Sequence, residues 1–310
     1  MATENLIVPT QSFTGSRAGA YLGLLAGIFC IAWSAIFVRW TNMPGTASAF
    51  YRMLIPSLIL LPTYFFDRFF DRERKSINRR TLGIIALGGF FFSLDLALYN
   101  SAILKTTAAN ATVLGNNTPI FVGLITWLIF RRRPTASFWT GLLLAVAGSF
   151  VLVWGDLMRH VKLGLGDVMA LGAAACFAVY LMATEEVRTT PGTLAFLRLA
   201  IFSSTISLLL MNLAMGTSLH VPNGRSWAAL FGLGLVSQLG GYLALTYAMG
   251  RLPATMTSVS LLTQVPLTAV LAALLLAEPL TLPQIVGGVL VLSGVGLAHR
   301  EKHPEDEVNV

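Results

Sequence analysis

The sequence predicts an all-α polytopic membrane protein, ten transmembrane helices arranged as two five-helix repeats of inverted topology. Three observations predict it. Charged residues make up 11% of the 310 residues and hydrophobic ones 55%, whereas soluble domains carry about 25% charged residues. With a mean hydropathy of +0.73, too little polar surface remains to cover a soluble core. The apolar stretches are nearly free of charge and run for about 20 residues, the length that spans the hydrocarbon of a bilayer. Finally, landmarks of the first half return in the second.

The apolar runs fall at roughly 18–40, 46–66, 81–103, 107–130, 136–155, 164–184, 192–213, 226–248, 253–276 and 281–299, here numbered spans 1 to 10. Their connections are mostly short and carry turn residues, as in "NMPGT", "RRRPT", "LPAT" and "AEPLTLP". The runs are continuously apolar, so helices are expected; barrel strands would alternate strictly over about 10 residues. Residues 1–17 are polar, and the first run is too long for the core of a cleaved signal. The end, "HREKHPEDEVNV", reads as a solvated tail. Cys30 and Cys176 fall inside spans, where they are expected to pack as small apolar residues instead of pairing.

Orientation follows from lysine and arginine. With the N-terminus inside, 14 of the 21 basic residues lie on the inner segments and five on the outer, while Arg52 and Arg198 lie within spans. This bias places both termini in the cytoplasm. The net charge of +7 is then topogenic charge with attraction to anionic headgroups, and calls for no nucleic acid.

The repeat is carried by "PGTASAFYR" and "PGTLAFLR". Pro44 and Pro191 are 147 apart, Arg52 and Arg198 146, Tyr99 and Tyr247 148, Pro119 and Pro266 147, and Thr135 and Thr281 146. Gly141 and Gly148 pair with Gly287 and Gly294, each at 146. The expected units are a cytoplasmic tail (1–17), a first repeat (18–155), a second repeat (164–300) and a second cytoplasmic tail (301–310). Five spans is an odd number, so the second copy enters the membrane from the opposite side. Inverted repeats of this kind build secondary transporters, with substrate near the midplane between the repeats. Two such halves can exchange conformations, which is alternating access.

The segments "YNSAILKTTAANATVLGNNTPIFVGLITWLIFRRRPT" and "YAMGRLPATMTSVSLLTQVPLTAVLAALLLAEPLT" resemble the fourth and ninth helices of the drug/metabolite transporter superfamily, EamA type. "PGTASAFYRMLIP" resembles its second helix. The likeness covers about residues 18–300. It implies a bacterial inner-membrane exporter of amino acids or other metabolites; organellar exchangers of nucleotide sugars and triose phosphates share the fold. It departs at the end of span 4. There Arg131, Arg132 and Arg133 stand where the second copy has Ala277 and Glu278.

Asp95, in "FFFSLDLALYN", is the most costly residue, because a carboxylate at mid-bilayer costs about 2.5–3.5 kcal/mol. It reads as a counter-ion for a substrate ammonium group or a proton carrier, or else as a structural aspartate bonded to a neighbouring helix. Arg52 and Arg198 read as gates, one near each face, or as a substrate carboxylate clamp, or as anchors that bind helix-end carbonyls and headgroups. Span 4 carries Asn110, Asn116, Asn117 and Thr118 before Pro119; span 9 carries Ser258, Ser260, Thr263 and Gln264 before Pro266. Proline frees a carbonyl about one turn upstream, and matched interruptions point to a transport path. Asn116, Asn117 and Gln264 are the favoured cavity residues there. Trp33, Tyr99, Phe177, Tyr180, Tyr242 and Tyr247 form an aromatic set that suits apolar side chains or holds an ammonium group by cation–π attraction; belt or packing roles compete. The repeated glycines, seven residues apart, suit close helix packing or a dimer contact.

An intramembrane enzyme is the rival from another class. Its best feature is Asp67 and Asp71 in "DRFFDRER", which are interleaved with arginines and read as solvated charge. No HExxH, CxxC or phosphate loop appears. No metal or cofactor is implied, and neither is catalysis. A channel is a second rival, and an exchanger of nucleosides, drugs or phosphorylated solutes a third. The expected partners are a small-molecule substrate and membrane lipid, with no obligate protein partner.

Overall fold

The structure, a computed structural model, describes residues 17–65, 78–105, 108–131, 134–152, 154, 164–187, 193–276 and 280–299. Asp67, Asp71, Arg132, Arg133, Ala277 and Glu278 lie outside the described residues, as does the side chain of Asn110.

Among the described residues, each of the ten apolar runs forms helix. Span 1 is α1 (Arg17–Ala32) and α2 (Ser34–Thr41), broken at Trp33; span 2 is α3 (Gly45–Phe65), and span 3 is α4 (Arg79–Lys105). Span 4 breaks into α5 (Ala108–Gly115) and α6 (Thr118–Leu128), and span 5 is α7 (Ala136–Leu152). Spans 6 and 7 are α8 (Leu165–Val187) and α9 (Thr193–Ala214). Span 8 is α10 (Gly224–Phe231), a π-helical stretch (Gly232–Gly240) and α11 (Gly241–Met249). Span 9 breaks into α12 (Ala254–Leu261) and α13 (Gln264–Leu276), and span 10 is α14 (Leu282–Ala298). Six of these helical runs are long and apolar enough to cross a membrane, and shorter apolar helices accompany them. Large apolar side chains such as Leu22, Leu143, Leu210 and Leu274 point outward, as a lipid-facing surface requires.

Packing shows the repeat directly. Span 3 packs on span 6 as span 8 packs on span 1; span 7 packs on span 3 as span 2 packs on span 8; span 4 lies on span 6 as span 9 lies on span 1. Exchanging the two halves turns each pair into another observed pair. Spans 2 and 7, 4 and 9, and 5 and 10 each meet their own counterpart. The two five-helix repeats are thus related by inversion about a two-fold axis between them. The rings of Tyr21 and His299 lie 6.0 Å apart, so the start of span 1 and the end of span 10 share one face.

Spans 5 and 10 meet through the repeated glycines. A Cβ on Gly141 would sit 2.6 Å from the Gly294 oxygen, and one on Gly148 would sit 2.6 Å from the Val291 nitrogen. The small-residue grooves are therefore filled within this chain, backbone on backbone. Cys30 and Cys176 are both free thiols.

Valine at Gly148 or Gly287 must force the two backbones apart and is expected to cost about 1–3 kcal/mol, read as earlier thermal unfolding of detergent-solubilised protein. Gly296→Ala should not hasten unfolding, because an added Cβ there meets no neighbouring helix within 4 Å.

Candidate functional site

Spans 4 and 9 break at matched positions, and span 1 breaks at Trp33. In span 4, Asn117 N bonds the Leu114 oxygen at 3.2 Å and Ile120 N bonds the Asn117 oxygen at 3.0 Å. In span 9, Leu262 N bonds the Val259 oxygen at 3.1 Å and Thr263 N bonds the Ser260 oxygen at 3.0 Å. These tight turns keep the backbone satisfied where the α ladder stops. Side chains complete the work. Asn117 Nδ2 donates to the Val113 oxygen at 2.8 Å, Thr118 Oγ1 donates to the Gly115 oxygen at 3.4 Å, and Thr268 Oγ1 of span 9 donates across to the Ala32 oxygen of span 1 at 3.1 Å. Gln264 Nε2 donates to Asn116 Oδ1, joining the two repeats at their matched breaks.

Between the breaks lies a cavity with about 90 Å³ open to the centres of water molecules. That is well above the roughly 10–15 Å³ that a cavity needs to hold one water. Of the residues singled out from the sequence, Asp95, Tyr99, Asn116, Phe177, Tyr242 and Gln264 line it, with Arg52 and Pro119. Seven spans contribute to the wall, from both repeats.

The two charged residues face this cavity without closing on each other. Arg52 is 3% exposed. Its Nε donates to Gln238 Oε1 at 2.9 Å and its Nη1 to Ser34 Oγ at 2.8 Å, and its guanidinium lies 5.7 Å from the Tyr242 ring centroid. Asp95 is half-buried in the cavity wall. Among the described residues, no side chain hydrogen-bonds its carboxylate and no ion pair joins it to Arg52. The structural alternative for Asp95, a bond to a neighbouring helix, has no partner among these residues.

Other residues from the sequence reading are placed elsewhere. Tyr180 is 1% exposed and stacks on Phe92 at 4.4 Å, in an aromatic plug with Phe177, Phe196 and Tyr242. The plug lies one turn from Asp95, towards the face that holds the start of span 1. Trp33 stacks on Phe37 at 5.8 Å and packs against Ala32, Ile36 and Leu271, outside the cavity. Asn117 spends its amide on backbone carbonyls. Tyr247 lies against Gly23 and beneath the Arg251 guanidinium at 4.1 Å. Pro266 lies against Gly288 of span 10. Arg198 Nη1 donates to the Thr63 oxygen at 3.2 Å and Thr63 Oγ1 at 3.4 Å, so it anchors the last turn of span 2 and is absent from the cavity wall.

The sequence reading missed Ser34, Thr268 and Gln238. Each is a polar residue within an apolar run, Gln238 beside Ser237, and that was the available signal.

The comparisons agree with this architecture. An uncharacterized transporter of Archaeoglobus fulgidus is 26% identical over 90% of this chain and 98% of its own length. A "Probable terminal-alkyne amino-acid exporter" of Streptantibioticus cattleyicolor is 27% identical over 71% of this chain and 74% of its own. A chain of known crystal structure, 17% identical, has a similar fold with a TM-score of 0.72 over 92% of this chain and 98% of that one. The EamA-like transporter family matches twice, over residues 18–154 and 164–299. With both halves matched and ten helical spans related by inversion, the chain is a multi-pass membrane protein that belongs to the EamA-like transporter family.

Proposed function

We propose that this protein is a secondary carrier that exports amino acids, with aromatic or large apolar side chains favoured, by alternating access across the bacterial cytoplasmic membrane. It moves its solute without chemical change, and both termini face the cytoplasm. One observation carries the reading: Arg52 and Asp95, a base and an acid, face a single cavity and form no ion pair with each other. An amino-acid zwitterion satisfies both, its carboxylate on the Arg52 fork and its ammonium on Asp95. Phe177, Tyr99 and Tyr242 supply an apolar wall beside them, and Tyr242 can add cation–π attraction. The amino-acid exporter among the relatives supports the same class.

A phosphorylated solute would need several cations around it, and Arg52 is the cavity's one basic residue among the described residues. An open channel fits poorly with the buried aromatic plug.

Counterflow in proteoliposomes tests the proposal with a panel of amino acids, nucleosides and organic phosphates. Saturable exchange confined to amino acids is the expected result; flux that does not saturate, or that appears with phosphates alone, removes it. Arg52→Gln and Asp95→Asn should each weaken amino-acid counterflow by about tenfold or more, as loss of a hydrogen bond to a charged group implies. Arg198→Gln should lower thermal stability yet leave the KM unchanged. Single cysteines introduced near residues 5 and 305 of a Cys30→Ala, Cys176→Ala background should be shielded from impermeant maleimide in intact cells, which checks the orientation.

A further inference from the structure

We infer that Gln238, delivered by the π-helical stretch of span 8, is a positioning residue that aims Arg52 at the substrate carboxylate. This rests on the amino-acid reading above. Arginine offers five N–H groups in a flat fork. Here Gln238 takes Nε and Ser34 takes one Nη1 hydrogen. The back of the fork is held, and Nη2 has no partner among the described residues. With Nε occupied, the Nη1–Nη2 end is the edge left for a carboxylate to bind with two parallel bonds.

The amide orientation of Gln238 is fixed by this contact, because a flip would set Nε2 against the Arg52 Nε–H, two donors facing. Its Nε2 is left buried and without a partner among the described residues, in a residue 0% exposed. An orphan buried donor costs about 1–3 kcal/mol. A glutamine serving only to glue helices would be expected to use both ends of its amide; this one uses only the end that holds Arg52.

The backbone explains how Gln238 arrives there. A π turn carries an extra residue, which swings the succeeding side chains by about 100° relative to an uninterrupted α-helix. Within and just after that stretch, Gln238 and Tyr242 both reach Arg52 from one side. Glycines press the wide turn onto spans 1 and 2. A Cβ on Gly232 would lie 2.6 Å from the Phe37 ring, one on Gly234 2.9 Å from Ile55 Cβ, and one on Gly241 2.8 Å from Ile31 Cγ1. Span 3, the counterpart of span 8, is an unbroken α-helix, and Arg198, the counterpart of Arg52, binds the end of span 2.

Isothermal titration of the nanodisc-embedded protein with phenylalanine and phenethylamine tests the inference, since the two ligands differ by the carboxylate alone. The wild type is expected to bind phenylalanine about tenfold tighter or better. Gln238→Leu should bring that ratio to within about twofold by weakening phenylalanine, with phenethylamine unchanged. Ser34→Ala, which removes the lighter brace, should lower the ratio by a smaller factor. In an Arg52→Gln background, Gln238→Leu should have no further effect. A ratio that survives Gln238→Leu, equal weakening of both ligands, or additive losses in the double variant overturns the positioning role. A wild type that binds phenylalanine no better than phenethylamine overturns instead the amino-acid reading, and this inference with it.

Discussion

A backbone that breaks inside a bilayer has no water to satisfy its amide and carbonyl groups. The centre of this protein depends on how that constraint is met. Spans 1, 4 and 9 all interrupt their α ladders around one hollow. Tight turns satisfy some of the freed groups, and Asn117, Thr118 and Thr268 satisfy others. Beside this local repair, Arg52, Asp95, Asn116 and Gln264 face the cavity. Asn116 and Gln264 then tie the two repeats together where both are broken. The cavity and the repair of the helix breaks are one structure.

Within that frame the two repeats have parted in chemistry while keeping their geometry. Arg52 and Arg198 sit at matched places in matched helices, yet one faces the cavity and the other holds a helix end. Tyr99 lines the hollow, whereas Tyr247 lies against span 1 beneath an arginine. Asp95 has Leu243 near its matched position, so one repeat supplies the anion and the other the unusual helix that braces its opposing cation. A symmetric scaffold suits exchange between two states, while an asymmetric lining fixes which solute is held.

Much of the fold was legible because lipid imposes long apolar runs and parity does the rest. Asp95 was legible because an isolated carboxylate in such a run is costly enough to require a reason, and the Asn116–Gln264 pair because matched prolines mark matched breaks. The remainder turns on rotation about helix axes, which composition does not reveal. Asn116 and Asn117 are neighbours, but about 100° of rotation sends one to the cavity and the other to its own backbone. Trp33, Tyr180 and Tyr247 share an aromatic character with Tyr242 and pack away from the hollow. The π-helical stretch has no sequence signature of its own; "GLGLVSQLG" reads as any glycine-rich membrane helix, so Gln238 passed as one more polar residue in a span.

The helix of span 10 is closed at both ends, by a capping box at Thr281 and Gln284 and by a C-cap at His299, and counts 17 residues. At 1.5 Å per residue that is about 25 Å of helix, against a hydrocarbon layer of about 30 Å. Span 3, with 27 residues, reaches about 40 Å. The molecule is therefore shallow along one flank, and lipid beside that flank must thin or draw its headgroups inward to meet it. Acyl-chain length thereby becomes a mechanical load applied to one side of the protein.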